Sequence, residues 1–88
     1  MQVKNSKKQL VLDAFAKVVK ELRGSKSQFM LASENDISVS IISMVERGLK
    51  DPQFTTLLKL SEALNIEPVE FLNKIICNLP DNFSMIDK

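Results

Sequence analysis

Residues Ser38–Gly48, reading SVSIISMVERG, limit most sharply what this chain can fold into. Ser38 is placed to cap a helix, because its side-chain oxygen can accept from a free N–H of the first turn. Ile37 before it and Ile42 four residues after it stand where a hydrophobic staple needs them. Ile42 and Val45 then share one helical face, while Ser40, Ser43 and Arg47 fall largely on others. Gly48 is placed to end the helix, since glycine takes the left-handed conformation without a Cβ clash. The outcome is a short helix with a narrow apolar stripe. A helix that short does not stand alone in water. Its neighbours must hold it, and its outer face is left free to touch something else.

The chain has 88 residues, the size of one domain with a modest core, for which oligomerisation is a common route to stability. No apolar run approaches the roughly 18 residues of a membrane span. The basic start (Lys4, Lys7, Lys8) is followed by an apolar stretch broken by Asp13 and Lys17, a pattern unlike a signal peptide. One cysteine, Cys77, excludes an intramolecular disulfide and predicts a reducing, cytoplasmic setting. The net charge is only +1, but residues 1–26 carry seven Lys/Arg against two acids, and residues 52–88 carry three against five. A basic first quarter suits a polyanionic partner, although a solvated charged face would look the same.

Taken in order, residues 1–8 read as a basic tail, residues 9–77 as one domain and residues 78–88 as a C-terminal tail, packing or dimerising. The first helix is predicted over Gln9–Arg23, with Leu12, Phe15, Val19 and Leu22 on one stripe and Val11, Ala14 and Val18 beside it. Gly24 stops it. Ser27 caps a second helix from Gln28 to Glu34 or Asn35, with Leu31 and Ala32 inward. Asn35–Asp36 form the turn, both tolerating left-handed φ. The Ser38 helix follows. A polar loop stiffened by Pro52 leads to a fourth helix, Phe54–Leu64, with Asn65 closing it. Pro68 opens a fifth helix to Cys77. The predicted fold is all-α, with five helices.

The short second and third helices, joined by a tight turn, make a helix-turn-helix. Ser27-Gln28-x-x-Leu31-Ala32, then Ile37-Ser38-x-Ser40-x-Ile42-Ser43-x-Val45-Glu46-Arg47-Gly48, then Pro52 and Leu57-Leu58-Lys59-Leu60-x-x-Ala63-Leu64 resemble the Cro/C1-type (XRE) helix-turn-helix family. The resemblance spans Leu12 to Leu72. It implies a five-helix, lambda-repressor-like domain that dimerises and binds a pseudo-palindromic operator in double-stranded DNA, as a small repressor or controller protein. It further implies that a recognition helix over Val39–Arg47 enters the major groove. Val39, Ser40, Ser43 and Met44 would face base edges. Gln28, Ser38, Arg47 and Lys50, with Lys26 as a weaker candidate, would meet phosphates.

The chain departs from the family pattern at Val39, Ile41 and Met44, where longer polar or aromatic side chains are common. Base readout usually relies on Arg, Lys, Asn or Gln making paired hydrogen bonds. Val39 and Met44 cannot make them, so readout is expected to lean on thymine methyls and DNA shape. Asn35, Asp36 and Gln53 replace better turn and cap residues, at a small cost in stability. A second reading keeps the fold but uses Phe29, Met30, Ile41 and Met44 as an apolar patch for a protein partner, as an antitoxin-like or assembly module.

Other chemistry finds little support. With no histidine and one cysteine, no His/Cys metal site can be assembled. There is no glycine-rich phosphate loop, Cys77 reads as a buried structural thiol, and Glu46 reads as a structural acid. No enzyme, cofactor, membrane contact or small-molecule ligand is expected. Phe71, Leu72, Ile75, Ile76 and Phe83 are the candidates for a homodimer interface, with closure of the monomer core as their alternative role.

Overall fold

The computed structural model describes residues 6–86. The first five residues of the basic tail, Lys4 included, lie outside them. Helix α1 spans Lys7–Arg23 and begins two residues earlier than expected. The cause is Ser6, whose Oγ accepts the Gln9 N–H at 3.1 Å and caps the first turn. Lys7 and Lys8 therefore belong to α1.

Helices α2 (Gln28–Asn35) and α3 (Val39–Glu46) start on Ser27 and Ser38 as the sequence predicts. Ser27 Oγ accepts from the Met30 N–H at 3.0 Å, and Ser38 Oγ from the Ile41 N–H at 3.1 Å. Asp36 ends α2 in the left-handed region, with φ 53° and ψ 45°. Helix α4 spans Phe54–Ala63 and α5 spans Pro68–Cys77. Gln53 stands in extended N-cap geometry but gives α4 no side-chain hydrogen bond. Asn65 takes φ 58° just beyond α4, the conformation expected of a closing residue. All five helices are present, and no described residue is in a strand.

The core draws at least one side chain from every helix: Val18 and Val19, Leu31, Ile42 and Val45, Leu60, and Phe71 are all essentially inaccessible to solvent. Phe15 and Phe71 join α1 to α5 edge to face, with ring centroids 5.7 Å apart and planes at 67°. Helix α1 packs on both α3 and α5, which accounts for its wide apolar arc. Helix α2 packs on α3 and α4, so the helix-turn-helix is backed by α1 and α4 while its outer side stays open.

Two dimer candidates fall inside this core. Phe71 is 0% exposed and Ile75 is buried, so both close the monomer and neither offers an intersubunit surface. The residues of α5 that do face outward at i, i+3, i+7 are Val69 (71% exposed), Leu72 (half-buried) and Ile76 (60% exposed). The C-terminal segment folds back over the start of α1. Leu79 packs against the core, the Phe83 N–H donates to Pro80 O, and Lys7 Nζ donates to Ile86 O at 3.0 Å. Phe83 is half-buried there, while Met85 and Ile86 stay exposed. Cys77, expected to be buried, is exposed at the end of α5, on the side away from Phe71 and Ile75.

Candidate nucleic-acid interface

The turn between α2 and α3 is short because each of its residues has one structural task. Asp36 reverses the chain, Ile37 is buried in the core, and Ser38 caps α3. With Ile42 and Val45 turned inward, Ser40, Met44 and Arg47 occupy the opposite side of α3 at i, i+4, i+7, and Ser43 lies beside them. Ser40 and Arg47 are exposed; Ser43 and Met44 are half-buried. Val39, on the first turn, is 42% exposed. Four predicted base-facing residues thus share the open side of one short helix. Ile41 is different: it is half-buried and packs against the core, so it leaves the proposed outer apolar patch. Phe29 and Met30 remain exposed on α2.

The predicted phosphate contacts surround this helix. Ser38 uses an oxygen lone pair on the Ile41 N–H, which leaves its own O–H free to donate to a phosphate. Arg47 is exposed and Lys50 half-buried just beyond the C-terminal end of α3. Gln28 is half-buried at the start of α2, where backbone N–H groups point outward. Its Nε2 donates to Glu46 Oε1 at 2.8 Å, leaving one N–H on that nitrogen. Lys26 is paired with Glu34, so contact with a phosphate would mean giving up that ion pair.

A buried carboxylate fixes α3 against its neighbours. Glu46, on the last turn of α3, is 4% exposed. Arg23, from the end of α1, grips it with two bonds of 2.7 Å, Nε to Oε2 and Nη2 to Oε1. Arg23 Nη1 also donates to Lys26 O at 2.8 Å. The Arg23–Glu46 pair therefore ties together α1, the loop before α2, the first residue of α2 and the end of α3. Burial by itself pushes the Glu46 carboxyl up. The hydrogen bonds from Arg23 and Gln28, with the positive charges of Arg23 and Lys20, outweigh burial and hold it below its usual value. The bond to Glu46 in turn raises Arg23, against the pull of burial. Nothing in the spacing of the sequence singles out Arg23. The available signal was Glu46 itself, which stands four residues after Ile42 and so on the buried face, where a carboxylate demands a partner.

Gly48 finishes the site. It takes φ 70°, and its carbonyl accepts from Gln9 Nε2 at 3.0 Å. A Cβ there would lie 2.8 Å from Asp13 Oδ1. The chain thus leaves α3 close against α1, with Arg47 directed outward.

A recessed support and a projecting short helix, with basic and hydroxyl groups at its ends, define a helix-turn-helix DNA-binding protein. Comparison with known proteins agrees. Residues 19–71 match the helix-turn-helix family, and the chain belongs to its Cro/C1-type (XRE) branch. The crystal structure of the restriction-modification controller protein C.AhdI from Aeromonas hydrophila is similar, at 39% sequence identity and a TM-score of 0.62. The match covers 68% of this chain and 94% of that one. The wild-type restriction-modification controller protein C.Esp1396I shares the fold at a TM-score of 0.68 and 24% identity, over 77% of this chain and 90% of that one. No curated protein sequence matches. The chain is a DNA-binding transcriptional regulator. Among the described residues, no helix is long and apolar enough to cross a membrane.

Proposed function

We propose that this protein is a controller-type regulator that binds a pseudo-palindromic operator as a homodimer, each protomer placing α3 in the major groove. The observation that carries this reading is the composition of one surface: Ser38, Val39, Ser40, Ser43, Met44 and Arg47 are all accessible on the open side of α3. Gln28, Ser38, Arg47 and Lys50 contact phosphates and set the register, with Lys26 joining when it releases Glu34. Val39, Ser40, Ser43 and Met44 meet base edges. The likeness to a restriction-modification controller supports the controller role over that of an unrelated repressor. The protein acts by binding alone, without catalysis, cofactor or small-molecule ligand, and works in the cytoplasm alongside the DNA it regulates.

A single module makes too few contacts for tight specific binding, which supports a two-fold dimer with half-sites about 34 Å apart. The exposed stripe Val69–Leu72–Ile76 supports α5 as its interface, with Phe83 at the margin. Family membership favours DNA over the alternative of a protein-only module.

Selection of bound duplexes from a random pool tests the reading. The recovered sequences should contain an inverted repeat, and affinity should fall steeply with salt. Arg47→Ala should weaken selected and scrambled duplexes by the same factor and flatten the log–log salt slope by about one per protomer. An absence of duplex binding at any salt, with a stable complex formed on a protein partner instead, would overturn it.

A further inference from the structure

We infer that α3 reads the C5-methyl group of a pyrimidine rather than the identity of the base that carries it, so that binding responds to cytosine C5 methylation within the site. This rests on the proposed placement of α3 in the major groove. The accessible side chains on its open side are two hydroxyls and two apolar groups: Ser40 and Val39 are exposed, and Ser43 and Met44 are half-buried beside them. The helix has one charged residue, Glu46, and that carboxylate is buried under Arg23 and Gln28. No amide or cationic side chain lies within α3, and Arg47 follows it at the position assigned to a phosphate.

The major groove presents thymine as an O4 acceptor beside a methyl, and cytosine as an N4 donor without one. A serine hydroxyl both donates and accepts, so Ser40 and Ser43 satisfy either group and separate neither. The methyl is then the feature that these side chains distinguish. Val39, 42% exposed on the first turn, and Met44, on the face opposite Ile42 and Val45, are the apolar surfaces that can desolvate it. 5-Methylcytosine carries the same methyl at the same place. It should therefore replace thymine where cytosine does not.

The test uses the full-length protein and a duplex recovered by selection, with affinities from fluorescence anisotropy. In one arm, each thymine of a half-site is replaced in turn by deoxyuridine, which removes the methyl and preserves pairing. At contacted positions affinity should drop about fourfold per methyl, the value of one buried methyl-sized group. In a second arm, the contacted A·T pair is replaced by G·C or by G·5-methylcytosine. The methylated pair should bind about fourfold better than the unmethylated one, by the same reasoning. Val39→Ala and Met44→Ala should each move the thymine-to-deoxyuridine ratio toward one at their own position. Equal affinity for the thymine and deoxyuridine duplexes, or for the two G·C duplexes, would overturn the inference while leaving DNA binding intact. Undiminished ratios in both variants would remove Val39 and Met44 as the readers. Failure to bind even the unmodified duplex would instead reject the underlying placement of α3.

Discussion

Glu46 is a carboxylate with almost no access to water, held by three hydrogen bonds, two of them from the Arg23 guanidinium. Removing its partner is therefore more damaging than its surface-like sequence context suggests. Arg23→Ala should cost about 3 kcal/mol, because an unpaired charge is left inside the protein. Glu46→Gln should cost less, since the amide oxygen still accepts from Arg23. Chemical denaturation of both variants checks the order. The same group sets a pH dependence. Its folded-state pKa lies below its unfolded value, so its contribution to stability is fully present above the ordinary carboxylate range of about 4.3. That contribution fades as pH falls through the lower, folded value. Wild-type stability should drop below about pH 4 by more than that of Glu46→Gln, in which this proton is absent. At this scale the sequence was least legible. Arg23 and Glu46 are 23 residues apart, and nothing in either's neighbours names the other. Gln28 is a phosphate candidate by its place at the start of α2, and its bond to Glu46 gives the same side chain a structural task in orienting α3.

The helices themselves were legible because their ends are written locally. Ser27, Ser38 and Pro68 start α2, α3 and α5, and Asp36, Gly48 and Asn65 take the left-handed conformations that follow α2, α3 and α4. The start of α1 was missed because Ser6 sits in a basic, polar run that resembles a tail, although its side chain makes the same capping bond. Gln53 is the weak point. Its backbone is ready for a cap, yet its side chain supplies none. Gln53→Ser should raise stability by about 1 kcal/mol, read as a higher denaturation midpoint with an unchanged m-value. Serine is preferred to aspartate so that no negative charge is brought toward the nucleic-acid side. Which face of each element points inward was legible from periodicity, with one limit. Ile41 and Phe71 look like surface or interface candidates in a one-dimensional stripe, and only the packing of α1 against both α3 and α5 shows why they turn inward.

At the scale of the whole molecule, five helices bury a core that leaves one apolar stripe on α5 uncovered. Val69, Leu72 and Ile76 follow the spacing of a helix–helix seam, and a second copy of the chain would cover them by two-fold symmetry. Ile76→Glu should convert a dimer to a monomer in sedimentation equilibrium and leave the helical circular dichroism unchanged, because this side chain is outside the core. DNA affinity should fall with it, since a half-site contact alone is weak. The sequence pointed to α5 but could not separate the residues that close the monomer from those that project beyond it. That separation depends on where α1 lies.

If the open side of α3 meets the DNA, Ser40 lies at the contact. It is exposed on that side, and its side chain lies outside the buried core. Ser40→Glu would place a negative charge between the helix and the phosphates without disturbing the core. Anisotropy with the selected duplex at moderate salt should show at least a hundredfold loss of affinity, about 3 kcal/mol, at unchanged thermal stability. Wild-type affinity in this variant would place the contact surface elsewhere on the molecule.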